Sequence, residues 1–412
     1  MSILATATGI VACLLGLMRG FAGQSFMGRP LGGDFVQFYV IGKILNQFGA
    51  ARIYDLDLAV RLQHSTLATM SGTQMLVFAH APFVAVLFQP FALLPYAWAY
   101  VAWLVFSALL YAAAVALLFR ALKLPRAQVG IGLLLAISST AFLFETWIGG
   151  QISVVVFAIW AMFFYLRSRD FLFVAGLALS LASFKPTLIA LPVALLIVGR
   201  RWRIVAGFCG GLAALGLASW GLVGSIGMRA WIETAIFNGR FAASGGAALR
   251  RIKNLDLNAF FHLILPGRPA VVLAVLASAA LCFMLAAAWR KSGAYGWNEE
   301  LLLWASTLTF TLVANTYVPI YDSLLVTTAA GLAVAGLSAR AADVRADLSV
   351  WLAVLYLVPW ITQSFAEFLH IQLLVPVLTG FGLWTLRHVA EEPSATKIPA
   401  QSMPLEDVPA FQ

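Results

Sequence analysis

An all-α polytopic membrane protein of about 12 transmembrane helices is the fold this sequence predicts, on three observations. Of 412 residues, 62% are hydrophobic and only 10% charged, with a positive mean hydropathy, whereas soluble domains are roughly half apolar. Runs of about 20 apolar residues, each able as a helix to cross about 30 Å of hydrocarbon, recur along nearly the whole length. The remaining charges gather in short clusters between those runs, leaving no soluble domain of useful size.

The first run covers 3–19. Met1 to Phe26 has the length and apolarity of a signal peptide, but Arg19 is its first cation, so the basic start of such a peptide is missing and a retained helix is expected. A long segment, 20–94, follows. Phe35, Phe38, Tyr39 and Ile41 to Leu45, with Lys43 and Asn46 on a polar side, predict short interfacial helices there, followed by ARIYDLDLAVRLQ (51–63). Pro82 to Leu94 is apolar but short, and Pro82, Pro90 and Pro95 disfavour a continuous helix. It is read as a partly inserted or tilted segment; counted as a full span it would raise the total to thirteen and reverse the sidedness of all that follows.

Further spans are expected at 97–119, 127–144, 151–166, 171–184, 187–199 and 204–224, and, after a second long segment (224–269), at 270–289, 301–315, 319–338, 349–365 and 370–386. Lys185-Pro186 breaks the run 171–199 into the arms of a short helical hairpin, the kind of interruption that marks binding sites in membrane proteins. Residues 1–390 thus form one integral membrane domain, and the Pro-, Ser- and acid-rich tail 391–412 is expected to be disordered and cytoplasmic.

Loop charge sets the sidedness. The loops 120–126, 167–170, 199–203, 290–300 and 340–347 together hold twelve Lys and Arg and should be cytoplasmic. The alternate short loops 145–151, 315–322 and 364–370 hold none but carry Glu145, Asp322 and Glu367. These should face outward with the segments 20–94 and 224–269, placing both termini inside and any active face outside.

Several chemistries find no foothold. Cys13, Cys209 and Cys282 lie inside apolar runs and read as small hydrophobes. The net charge of +9 is dispersed between helices and forms no face for nucleic acid. The five histidines are scattered away from metal-ligand spacing, and no Walker or dinucleotide glycine motif occurs, so neither a metal, a nucleotide nor another cofactor is expected.

What remains is a set of polar residues at the outward ends. Asp34, in GGDFVQFYV (32–40), stands at the start of the first interfacial helix, where the plain structural alternative is a helix N-cap. The ordered set DFxxFYxxGKxL, IYDLD, Gln63, FAHAPFVAVLFQPFALLP, GGQIS (149–153) and LALSLASFKPTLIALP (177–192) resembles the bacterial polyprenol-phosphate-dependent glycosyltransferases of family 87, in the GT-C superfamily. The likeness runs from about residue 30 to 205 and continues more faintly through NLDLNAFF (254–261) and VPIYDSLL (318–325). Two points depart from the family's text: His80-Ala81-Pro82 replaces Y-P-P, and Ser153 replaces a common Asn.

The resemblance implies a GT-C fold in the bacterial cytoplasmic membrane and transfer, with inversion, of a mannose- or arabinofuranose-class sugar. The donor would be a polyprenyl-phosphate-linked sugar and the acceptor an envelope glycan or glycolipid, with membrane lipids as the surrounding partner. By the same resemblance Asp34 is the general base, a role worth about 10²- to 10⁴-fold. Lys185 is the first candidate to compensate the departing phosphate, the alternative being a lysine that snorkels to the headgroups. Lys43, Arg52, His80, Arg250, Arg251 and Lys253 are weaker candidates.

Asp322, after Tyr321, is read as a second acid or an acceptor-hydroxyl ligand, with an N-cap as the alternative. Gln151, beside the Gly149-Gly150 turn and near Glu145, fits a contact to a sugar hydroxyl or a bond that orders its loop. Asn258, His262, Trp231 and Phe237 in the second outer segment read as anchors to the headgroups, with stacking on a sugar as the alternative. Two other classes stay open: a secondary transporter or flippase, which predicts paired broken helices and midplane charges, and an inactive envelope scaffold.

Overall fold

The computed structural model describes residues 2–21, 31–67, 70, 75–124, 126–243 and 251–390. The expected disordered tail and Arg250 lie outside the described residues. Helices supply nearly all the regular structure described; the exception is one antiparallel bridge between Asn254 and Pro319.

Helix α1 spans Ser2–Phe21, and α2 (Phe35–Gln47), α3 (Leu56–Thr66) and α4 (Phe83–Phe88) build the first long segment. A helix of six residues rises only about 9 Å, so α4, bounded by Pro82 and Pro90, cannot cross a bilayer. Helix α2 is more deeply placed than an interfacial pattern predicts. Phe35, Val36, Val40 and Ile44 are fully buried, because α3, α4 and α5 (Tyr96–Leu122) enclose it.

Next come α6 (Arg126–Ile137), a π-helical stretch (Ala141–Ile148), α7 (Ser153–Ser168), and the hairpin arms α8 (Leu172–Ser180) and α9 (Ala190–Val198). Helix α10 (Trp202–Ala243) is broken at Gly224, whose φ of 66° interrupts the helical backbone where the expected span ends; helix then resumes across part of the second outer segment. The remainder is α11 (Leu257–Ile264), α12 (Arg268–Arg290), α13 (Trp297–Val313), α14 (Leu324–Gly336), α15 (Ala342–Leu369) and α16 (Leu374–Ala390). Among the described residues, four helices, Tyr96–Leu122, Trp202–Arg240, Arg268–Arg290 and Ala342–Leu369, are long and apolar enough to cross a membrane, and four shorter apolar helices pack among them.

The two ends of the helix assembly differ in chemistry. At one end Glu300 accepts from Arg167 Nε and Nη2 (3.1 and 2.7 Å) and from Arg201 Nη2 (3.3 Å), while Arg201 also donates to the Ser292 carbonyl (3.0 Å). Arg340 approaches Glu299 at 3.8 Å and donates to the His388 carbonyl. Four of the five basic loops therefore converge on one end. Ser153 and Arg167, fourteen residues apart on α7, are separated by about 21 Å along its axis, which carries the chain from the polar cluster described next to this basic end.

Candidate active site

Two glycine turns meet to form the floor of the other end. Gly33 (φ 52°) precedes Asp34, and Gly150 (φ 65°) precedes Gln151, both in the left-handed region that glycine adopts without penalty. Their backbones touch: Asp34 N–H donates to the Gly149 carbonyl at 3.1 Å, and a Cβ added at Gly33 would stand 2.7 Å from that same oxygen. A Cβ at Gly150 would collide with the Gly32 carbonyl. Two tyrosines one turn apart on α5 hold the turns in place, Tyr96 Oη donating to the Leu31 carbonyl (2.5 Å) and Tyr100 Oη to the Ile148 carbonyl (2.7 Å). The Phe35 ring fills the space beneath, with centroids 5.8 to 5.9 Å from Tyr96, Tyr100 and Trp103.

This packing brings Asp34 to Gln151, 117 residues away, and Gln151 Nε2 donates to Asp34 Oδ2. Asp34 holds the N-cap position of α2 but its carboxylate makes no capping bond. A capping Asp contributes about 1 kcal/mol to a helix, so the structural alternative for Asp34 is not the arrangement found. The π-helical stretch that ends in the second turn is a rare, wide winding that recurs at functional sites.

Two residues beyond Gln151, within about 7 Å of chain, Ser153 joins a second cluster. Lys185 Nζ donates to Asp322 Oδ1 (2.5 Å) and to Ser153 Oγ (2.9 Å), and Ser153 Oγ donates to Asp322 Oδ1 (2.7 Å). The ammonium also lies 4.8 Å from the Tyr321 ring centroid. Pro186 explains how the lysine arrives there. The residue before a proline avoids the α region, and Lys185 at φ −121°, ψ 74° breaks the run of α8 so that its side chain leaves from the hairpin tip. Lys185 is 7% and Asp322 3% exposed, so the lysine does not snorkel and the aspartate does not cap.

The loop that carries Tyr321 and Asp322 is fixed from the second outer segment. Leu255 N–H donates to the Val318 carbonyl and Ile320 N–H to the Lys253 carbonyl, each at 2.8 Å. Asp256, fully buried, accepts from Ala259 N–H (2.7 Å) and Val318 N–H (3.0 Å). Burial pushes its carboxyl up to about 6 despite those donors. Arg251 and Lys253 flank the bridge, half-buried, at the same end.

The other candidates are distributed around this centre. His80 Nδ1 donates to the Phe184 carbonyl (3.1 Å), and its ring stacks on Phe38 next to the hairpin tip. Burial, with the Lys185 charge adding to it, lowers its pKa to about 4, so His80 belongs to the site as a neutral ring and not as the cation expected. Arg52 is drawn aside by a local partner, Asp55 (2.6 Å), and is half exposed. Lys43 is half-buried on α2. Glu145 is half-buried in the π-helical stretch, while its neighbour Thr146 donates to the Tyr321 carbonyl (3.3 Å).

Trp231 Nε1 donates to the Ala79 carbonyl (3.3 Å), so it ties the two outer segments together and does not merely anchor to headgroups. Phe237 is exposed. Asn258 donates to the Thr316 carbonyl and His262 bonds the Asn258 carbonyl, which makes both local stays of the segment. Ser153, read from the sequence only as a departure, is the residue that sequence reasoning undervalued; its place two residues after Gln151 was the available signal.

Chemically, the arrangement offers an oriented carboxylate, an amide, and a buried cation with its counter-ion, strung along one edge in the order Asp34, Gln151, Ser153, Lys185, Asp322. A buried ion pair contributes little net stability, because desolvation offsets its Coulomb gain. Compared with known proteins, the chain matches one family model, described as glycosyltransferase family 87, over residues 78–319. That match contains His80, Gln151, Ser153 and Lys185, and the fold brings Asp34 and Asp322 to them from outside it. No curated protein and no solved structure matches.

Proposed function

We propose, from the premise that this chain belongs to glycosyltransferase family 87 and is a membrane glycosyltransferase, that it moves a mannose- or arabinofuranose-class sugar, with inversion, from a polyprenyl-phosphate donor to an envelope glycan or glycolipid. Family membership sets aside the transporter reading. The observation that carries the proposal is Asp34: it forgoes the capping bond its position offers and is engaged by Gln151 instead.

In this reading the acceptor O–H loses its proton to the Asp34 carboxylate as its oxygen attacks the anomeric carbon. The bond from that carbon to the phosphate oxygen breaks on the opposite face, and polyprenyl phosphate departs with the electron pair. An ammonium has three N–H donors; Lys185 commits two, to Ser153 and Asp322, and directs charge toward Tyr321. It is the cation to which the contacts from Asp34 lead, and so the group assigned to the developing phosphate charge. Gln151 orients the base, and Asp322 holds Lys185. The convergence of basic loops at the opposite end supports an outward-facing site in the bacterial cytoplasmic membrane, since positive loops are retained in the cytoplasm.

The test is donor dependence. Protein purified in detergent and given a membrane extract as acceptor pool should transfer label from polyprenyl-phosphate mannose or arabinofuranose and none from the corresponding nucleotide sugars. Label taken from the nucleotide sugar alone would overturn the assignment.

A further inference from the structure

Away from this site, a cavity of about 380 Å³ lies between α5, α6, α14 and α15. Its walls are apolar, built by residues such as Leu135, Val326, Ala330, Leu348, Leu352 and Leu355. Along α15 it runs from Arg345 to Pro359, about 21 Å of helix, so it has the form of a groove for a chain. The buried stripe of α15 includes Leu348 and Leu355, at seven-residue spacing, and that stripe faces the groove while Val350, Leu357 and Ile361 on other faces are exposed.

The two ends of the groove differ. One reaches Thr140 and Ser323, the neighbour of Asp322, and offers hydroxyls and no cation. Ser323 is 3% exposed, and its hydroxyl has no hydrogen-bond partner among the described residues. The other end holds Arg345 with Ser338 and Ser349. Arg345 forms no ion pair among the described residues, stands in the first turn of α15, and belongs to the basic end of the molecule. Leu124, from the loop that carries Lys123, lines the same space.

We propose that this groove binds one acyl chain of an anionic glycerophospholipid, with its phosphate on Arg345 and its chain directed toward Ser323. Charge decides the occupant. An apolar cavity takes an apolar guest, and a phosphate headgroup is favoured where a cation and hydroxyls meet it. An isoprenoid chain whose phosphate met Lys185, the partner of Asp322, would enter from the opposite, Ser323 end and leave Arg345 without an anionic group. The groove is thus a lipid site distinct from the sugar-transfer site, and it lies against the helix that follows Asp322.

Native mass spectrometry of the full chain in mild detergent tests this, with phosphatidylglycerol, phosphatidylcholine of matched chains and undecaprenyl phosphate as probes. One phosphatidylglycerol per chain should be retained, more tightly than phosphatidylcholine. Arg345→Gln should weaken it about fivefold, the effect of one cation on an anionic headgroup, and Ala330→Phe, which fills the groove, should abolish it. Thermal melts identify variants that fail to fold, and Leu352→Phe then serves as the filling change. Equal retention of both phospholipids, no effect of Arg345→Gln, or no effect of filling the groove would each overturn the proposal. So would undecaprenyl phosphate binding that the filling variants abolish and Arg345→Gln leaves intact, which would give the groove to an isoprenoid chain.

Discussion

Replacing Asp322 with Asn leaves the Lys185 ammonium, 8% exposed at its side chain, surrounded by Ser153, the Tyr321 ring and an amide. Removing one partner of a buried ion pair costs about 3–5 kcal/mol, since the other charge stays desolvated. The Asn oxygen and the Ser153 hydroxyl still accept, so the lower end, about 3 kcal/mol, is expected. Lys185→Met strands the Asp322 carboxylate with Ser153 as its donor and should cost about as much. Lys185→Met combined with Asp322→Leu replaces the pair by apolar groups of similar size, an exchange that is often neutral, so its stability should return to within about 1 kcal/mol of wild type. Transfer should not return: without the cation the departing phosphate loses compensation of the size of one transition-state donor, about 10²- to 10³-fold in rate. Unfolding in detergent and initial rates of label transfer measure the two quantities on the same preparations. A double variant that is both stable and active would refute the reasoning, because the pair would then be structural only.

Gly150→Ala should lower transfer at least tenfold and destabilise the protein by more than the roughly 1 kcal/mol of a left-handed alanine, since its Cβ would also lie 2.7 Å from that of Phe35; rate and melting temperature check this. Tyr100→Phe removes the bond to the Ile148 carbonyl (2.7 Å) and should cost about 1 kcal/mol, measured in the same melts. Asp256 gives a pH dependence with a definite sign. Its folded pKa is raised from 3.8 to about 6, so its contribution is fully present below the lower value and is lost as pH rises through the upper one. Wild type minus Asp256→Asn should therefore lose on the order of 3 kcal/mol between pH 4 and pH 7. Taking the difference matters, because buried His80 titrates with the opposite sign in an overlapping window.

The helical elements were legible because their signals are local. The break at Lys185-Pro186, the weakness of 82–94 and the boundary at Gly224 each follow from one residue's backbone, and each is where it was expected. The shared placement of the basic loops was legible from charge alone. The depth of α2 was not: its Phe, Tyr, Val and Ile pattern suits an interface, and only the packing of α3, α4 and α5 around it covers the remaining face.

Within the site the residue types were legible and their pairings were not. Asp34 meets Gln151 across 117 residues and Lys185 meets Asp322 across 137, distances over which sequence carries no register. His80 reads from the sequence as one of the weaker candidate cations, whereas Phe38, Phe78 and Phe184 around it desolvate the ring. Arg52 has its partner three residues away in Asp55, a pairing that the local sequence itself displays.

The most direct measurement is the transfer rate of Asp34→Asn with saturating polyprenyl-phosphate sugar. Asn keeps an oxygen for Gln151 Nε2, and no capping bond is at stake, so the melting temperature should stay near that of wild type. The rate should fall by about 10²- to 10⁴-fold. A folded Asp34→Asn protein that transfers sugar within about threefold of the wild-type rate would contradict the assignment of this carboxylate as the base.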